Sequence, residues 1–200
     1  MGCASADSLQ RLDSVPPQNV LQSPNVAVAR APAIAVTPGQ LGYLELAASD
    51  MVLKIDDHKS FFKVLSVPLQ VGPSVRIQVT SRCDCVGFRK FLFVPLAFLF
   101  DGERQVMPLS PPEYETKNAD MSNPLRLVTT WTFPVRSVGR YRLLVAADTR
   151  VAGSPVATAR PSNMYGGVLS ALIAVHVTAV AVGQFSILVP SQQPAVEARK

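Results

Sequence analysis

The sequence predicts an all-β fold: a β-sandwich-like domain of mostly antiparallel strands, entered through an extended, Pro-rich N-terminal tether. Three observations predict it. First, apolar and polar residues alternate through the middle of the chain, as where Val75, Ile77 and Val79 interleave with Arg76, Gln78 and Thr80. A period of two sends one set to each face of a sheet. Second, the alternating segments stop at Pro or Gly again and again between 41 and 189, the spacing of strands joined by turns. Third, Pro16, Pro17, Pro24, Pro32 and Pro38 crowd the start among Ser, Gln, Asn and Ala, which reads as chain that cannot hold a helix. The expected organisation is a tether at 1–38 close to a lipid anchor, a β-sandwich domain at 39–190 and a tail at 191–200.

Taken in order, the tether offers one turn of helix at 7–13. The first strands run over 41–48 and 51–55, and Asp56-Asp57-His58-Lys59 makes a turn. A strand at 61–69 closes at Pro68 and Gly72-Pro73, and another follows at 75–80. The segment 91–100 is almost wholly apolar, which predicts one central strand buried on both faces, with Pro95 needing a bulge or an edge. Asp101-Gly102 turns the chain into a return strand at 104–107. A polar excursion fills 108–124. The strands at 125–133 and 140–147 read as a second hairpin, and 150–167 as a loop. The run 168–182, too short to span a bilayer, reads as a buried helix or strand before a last strand at 185–189.

Composition narrows the function classes. Two hundred residues suit one domain with its own core. Hydrophobic residues are 48% and charged residues only 16%, lean for a cytosolic protein. The net charge of +5 is spread along the chain, densest at Arg82, Arg89 and Lys90 and at Arg136, Arg140 and Arg142. No nucleic-acid motif accompanies it, so no nucleic-acid partner is expected.

The start, Met1-Gly2-Cys3-Ala4-Ser5, has three readings. In the leading one Cys3 is the lipid anchor of a mature bacterial lipoprotein, which places the chain in the periplasm, held to the outer membrane. In the second, Gly2 and Cys3 are both acylated, although Ala6 stands where that motif wants Ser or Thr. In the third, Cys3 is an ordinary thiol. Cys83 and Cys85 are a candidate disulfide. In a regular strand i and i+2 lie too far apart for an easy bridge, and a bend near Gly87 would close it; a pair of reduced thiols is the alternative. No second Cys or His pair stands at zinc spacing.

No catalytic constellation stands out, so no enzyme, metal or cofactor is expected. His58 follows two aspartates, yet neighbours on a strand point opposite ways, and a solvated turn explains it. His176 lies in an apolar run, where a core or edge histidine is usual. Glu113 and Glu115 flank Tyr114 in the polar excursion, as paired carboxylates or as plain loop residues. Tyr43, Tyr114, Trp131 and Tyr165 are candidate sugar platforms, although Trp131 alternates with Leu127 and Phe133 and so reads first as core. Phe88, Arg89 and Lys90, with Phe91 and Phe93 beside them, are a candidate partner contact.

The middle of the chain resembles the maltose-operon periplasmic protein (MalM) family. The likeness lies in Phe61-Phe62-Lys63-Val64-Leu65-Ser66-Val67-Pro68 with the strand from Val75 to Ser81. It continues in Phe93-Val94-Pro95-Leu96-Ala97-Phe98-Leu99-Phe100-Asp101, and in Gly139-Arg140-Tyr141-Arg142-Leu143-Leu144-Val145 with Asp148 and Gly153. It covers about 41–190 and rests on order and pattern; Arg82-Cys83-Asp84-Cys85 departs from it. The resemblance implies a β-rich envelope protein linked to maltodextrin uptake, with no catalytic residues to carry over. The expected function is a non-enzymatic cell-envelope lipoprotein, an accessory or structural subunit bound to other envelope proteins in a larger or multi-copy complex. A maltodextrin- or other oligosaccharide-binding module is the alternative.

Overall fold

Two of the prolines at the start of the chain, Pro17 and Pro24, begin helices rather than break them. In the computed structural model, which describes residues 4–86, 89–119, 124–159 and 175–191, α1 (Ala4–Ser14) leads into a single 3-10 turn at Pro17–Asn19, β1 (Val20–Leu21), α2 (Pro24–Arg30) and β2 (Ala33–Ala35). Pro17 and Pro24 occupy first-turn positions, where the missing N–H has no partner to lose. Ser23 caps α2, its Oγ accepting from the Val26 N–H at 3.3 Å. Ala27, Val28 and Ala31 then form a buried apolar stripe, and β1 and β2 add parallel to strands of the sandwich. The extended tether expected at 1–38 is therefore not what the described residues show. Residues 4–36 fold onto the domain, and the boundary drawn at 38/39 falls inside one packed unit. The turn of helix expected at 7–13 is the middle of α1.

The remaining elements are β-strands: β3 (Leu41–Leu46), β4 (Val52–Ile55), β5 (His58–Leu69), β6 (Gly72–Arg82), β7 (Asp84–Val86), β8 (Arg89–Leu92), β9 (Pro95–Phe100), β10 (Val106–Met107), β11 (Glu113–Lys117), β12 (Arg126–Val135), β13 (Gly139–Ala147), β14 (Pro155–Ala159), β15 (Val175–Ala179) and β16 (Gly183–Leu188). They form an all-β, antiparallel-rich sandwich. The large sheet runs β1-β4-β5-β13-β9-β10, with β2 beside β5; the small sheet runs β11-β12-β6-β16-β3; a third, four-stranded sheet runs β14-β15-β8-β7.

Alternation explains the layers. Phe61, Leu65 and Val67 of β5 and Leu143 and Val145 of β13 meet Ile77 and Val79 of β6, Trp131 and Phe133 of β12 and Phe185 and Ile187 of β16 in the main core. The other face of the large sheet is buried too. Phe62 and Val64 of β5 and Leu144 and Ala146 of β13 pack under the Ala27–Val28–Ala31 stripe of α2. A third cluster, including Cys83, Leu92, Leu125 and Val177, fills the space beneath the four-stranded sheet.

Four expectations change in the structure. The run 91–100 is two strands in two sheets, because Pro95, which has no N–H for a ladder, opens β9 rather than sitting inside one strand. The strands at 125–133 and 140–147 are not a hairpin: β12 lies in the small sheet and β13 in the large one, so their connection arches over the core. The excursion 108–124 contains β11, paired residue for residue with β12 from Glu113↔Thr130 to Lys117↔Arg126. The loop expected at 150–167 contains β14. Of the apolar run 168–182, the part before 175 lies outside the described residues, as does the tail from 192, and β15 occupies Val175–Ala179. Among the described residues no helix is long and apolar enough to cross a membrane.

Candidate functional site

The two outer faces of the sandwich differ. Helix α2 covers part of the outer face of the large sheet, whereas among the described residues no helix makes more than marginal contact with the small sheet. The small sheet's outer face is built by strand register. Tyr43 of β3 stands beside Ser186 of β16, Ser186 beside Thr80 of β6, Thr80 beside Val128 of β12 and Val128 beside Glu115 of β11. One rung along, Arg82 of β6 stands directly opposite Arg126 of β12, and Arg126 directly opposite Lys117 of β11. Residues two apart on a strand share a face, so Tyr43, Thr80, Arg82, Arg126 and Lys117 all border one shallow groove, which also takes in Gln78 and Ser186, with a volume of about 190 Å³.

Tyr43 is 64% exposed, and the Arg82 guanidinium carbon lies 5.5 Å from the centre of its ring, within range for a cation–π contact. A second depression of about 300 Å³ adjoins the far side of Arg82, between Glu45, Asp84, Phe91 and Gln184. Cys83, at its edge, is disulfide-bonded, which pins the end of β6 where Arg82 projects. The side chain of Cys85 lies outside those described.

The structure separates the other candidates. Trp131 is only 4% exposed and belongs to the main core, so it is not a ligand or partner contact; its alternation with Leu127 and Phe133 decides its place. Tyr114 is half exposed on β11, but it falls one residue out of step with Glu115 and so faces away from the groove. Burial, and then the Asp148 carboxylate, push its phenol above the ordinary range, against a smaller opposite effect of Arg150. Tyr165, Phe88 and Cys3 lie outside the described residues, as does the side chain of Arg89. Lys90 is half-buried on β8. Of the aromatic residues beside it, Phe93 is fully buried, edge-on to Phe185 at 5.6 Å between ring centres, and Phe91 packs against the core.

Glu113 and Glu115 are exposed on β11 and face the bases around them. Glu113 lies 3.7 Å from Arg76 and Glu115 3.4 Å from Lys117. His58 is exposed at the start of β5, next to the two-residue turn Asp56-Asp57 in which Asp56 adopts a φ of 52°. His176 is exposed on β15 rather than placed in the core. Among the described residues no group of three His, Cys, Asp or Glu is placed to hold a metal.

Sequence reasoning missed one further cluster. Asp148, just after β13, accepts from Arg150 Nε and Nη2, both at 2.8 Å, and from the Arg150 backbone N–H at 3.2 Å. The Arg150 hydrogen bond lowers the Asp148 pKa more than burial raises it. The cavity beside this pair, near His58 and Ser60, measures about 10 Å³, room for a water at most. The groove on the small sheet is therefore the better place for a ligand. Comparison with protein-family models, with curated proteins and with solved structures finds no match.

Proposed function

We propose that this chain is a non-enzymatic accessory subunit of the bacterial cell envelope, lipid-anchored at Cys3 on the periplasmic side of the outer membrane, and that it works by binding through its small sheet. The observation that carries the reading is the asymmetry of the outer faces: one is partly buried under α2, while the other bears an exposed aromatic, a basic row and, among the described residues, an open edge. That edge, β3, exposes Leu41 and Tyr43 and carries a single charge, Glu45, with neither Lys nor Pro, a lighter guard than a free strand usually has. The opposite edge, β11, carries Glu113, Glu115 and Lys117. A partner strand added to β3 would extend the small sheet. The resemblance to maltose-operon proteins supports the compartment, and the disulfide at Cys83 fits an oxidising one. With α1 opening at Ala4 and Leu12 in the core, an acyl chain on Cys3 would hold the domain close against the membrane, with no long spacer.

Expression behind a lipoprotein leader in a bacterial host, with labelled palmitate, tests the anchor. Detergent extraction and mass measurement test the subunit. The expected result is a label lost in Cys3→Ser and a particle larger than the chain with a stoichiometric partner. An unlabelled monomer of about 21.5 kDa would contradict both parts.

A second reading is favoured by Tyr43 itself. An exposed ring beside hydroxyl and amide groups in an open groove is how a protein presents a surface to an oligosaccharide, which agrees with the expected alternative of a maltodextrin-binding module.

A further inference from the structure

The two edges of the small sheet match each other. Among the described residues its strands run in the order β11-β12-β6-β16-β3, so β11 and β3 are its ends. Every pairing between them is antiparallel, and four reversals bring β3 back to the direction of β11. The register also carries one rung from edge to edge. Lys117 of β11 stands opposite Arg126, Arg126 opposite Arg82, and Gln184 of β16 opposite Glu45 of β3; the β16–β6 register, extended by one residue, sets Gln184 beside Arg82. One face of one rung therefore ends in a base on β11 and an acid on β3. The next rung ends in Glu115 and the exposed Tyr43.

We propose that β3 of one copy of this chain pairs with β11 of the next, so that copies add head to tail and the small sheet runs on from one into another. This rests on the reading of the chain as a subunit that binds through its small sheet, and it names the partner as a second copy. A copy set alongside in the same orientation brings the two edges together as parallel strands with matching faces, a strand addition. Neighbouring strands lie about 4.8 Å apart, so Glu45 meets Lys117 of the next copy, and Tyr43 meets Glu115, whose carboxylate accepts from the phenol. Within one copy Lys117 lies 3.4 Å from Glu115, with both side chains exposed. Such surface pairs contribute little, and sharing Lys117 with Glu45 costs little. Two-fold pairing of β3 with itself offers less. Any register within β3 that keeps its faces sets Glu45 against Leu41, Tyr43 or another Glu45, never a base. A head-to-tail contact repeats, closing into a ring or continuing as a filament.

The test is sedimentation of the purified full chain at rising concentration and low salt, with four samples: the parent, Glu45→Lys, Lys117→Glu, and an equimolar mixture of the two variants. The parent is expected to pass from 21.5 kDa to species of three or more copies. Each variant alone sets like charges against each other at the contact and is expected to need at least about tenfold higher concentration to associate. In the mixture every contact between unlike variants again joins an acid to a base, and association is expected to return to the parent's range. That rescue also shows that both variants fold, since a misfolded chain does not regain a contact on mixing, and unchanged melting temperatures check it independently. A parent that stays monomeric throughout, variants that associate as the parent does, or a mixture that stays apart overturns the head-to-tail contact. A mass that stops at two copies overturns it in favour of a two-fold pair. Each of these leaves the subunit reading standing, because the detergent extraction above tests that reading with whatever partner the envelope supplies.

Discussion

Asp148 is held by one neighbour in three ways, through two guanidinium donations and one backbone donation from Arg150. Because its folded pKa is lowered, first by the hydrogen bond from Arg150 and against the opposing effect of burial, the pair stabilises the fold fully above the ordinary carboxylate range. That stability is lost as pH falls through the lowered value. Asp148→Asn is therefore expected to cost about 1–2 kcal/mol at neutral pH, with the gap to the parent closing in denaturant titrations as the pH drops below the carboxylate range. A gap that stays constant down to strong acid would show that the charge contributes nothing. The pair was invisible in the sequence because Asp148 and Arg150 stand in what reads as the start of a loop. What brings them together is a 3-10 turn, Thr149–Val151, capped by Asp148 itself. Trp131 and Tyr43 were legible to different degrees. The alternation around Trp131 already named its buried face, but nothing in the residues near Tyr43 says that its strand lies at the edge of a sheet with its ring exposed.

At the scale of elements, one lysine caps the end of α1, whose Leu9 and Leu12 pack on the core. Lys59 Nζ, at the start of β5, donates to the carbonyls of Leu12, Asp13 and Val15 at 3.2, 3.2 and 3.0 Å. These carbonyls lie at the end of the helix, where few backbone partners remain, and a cation there also complements the helix dipole. Lys59→Met is expected to lower stability by about 1 kcal/mol and to speed hydrogen exchange in α1 ahead of the sandwich core. Unchanged protection of 4–14 would mean that the packing of α1 on the core holds the helix without the lysine. The prolines that read as a tether misled because Pro obstructs a helix interior yet is welcome in its first turn, and telling the two apart requires the cap, here Ser23, and the apolar stripe that follows. The strand β11 escaped notice for a related reason. Its residues, Glu113-Tyr114-Glu115-Thr116-Lys117, are polar and exposed as an edge strand allows, so no buried face marks it.

Over the whole molecule, the sandwich was legible because alternation is a local signal, and long runs such as 61–69 and 75–80 carry it unambiguously. Pairing is not local. The chain order of β12 and β13 suggests a hairpin, but burying both apolar faces against each other requires them to lie in opposite sheets. The basic row was likewise only partly legible. Arg82 drew attention beside Arg89 and Lys90, its sequence neighbours, whereas its neighbours in space are Arg126 and Lys117, 44 and 35 residues away. The central claim is that this molecule acts through the small sheet, on whose outer face Tyr43 is exposed, and not through the side that α2 covers. Photo-crosslinking in living cells tests it most directly, with a benzophenone side chain placed at position 43 on the open face or, as the control, at the exposed position 26 on α2. The account predicts one discrete adduct from position 43 and none from position 26; an adduct from position 26 with none from position 43 would contradict it.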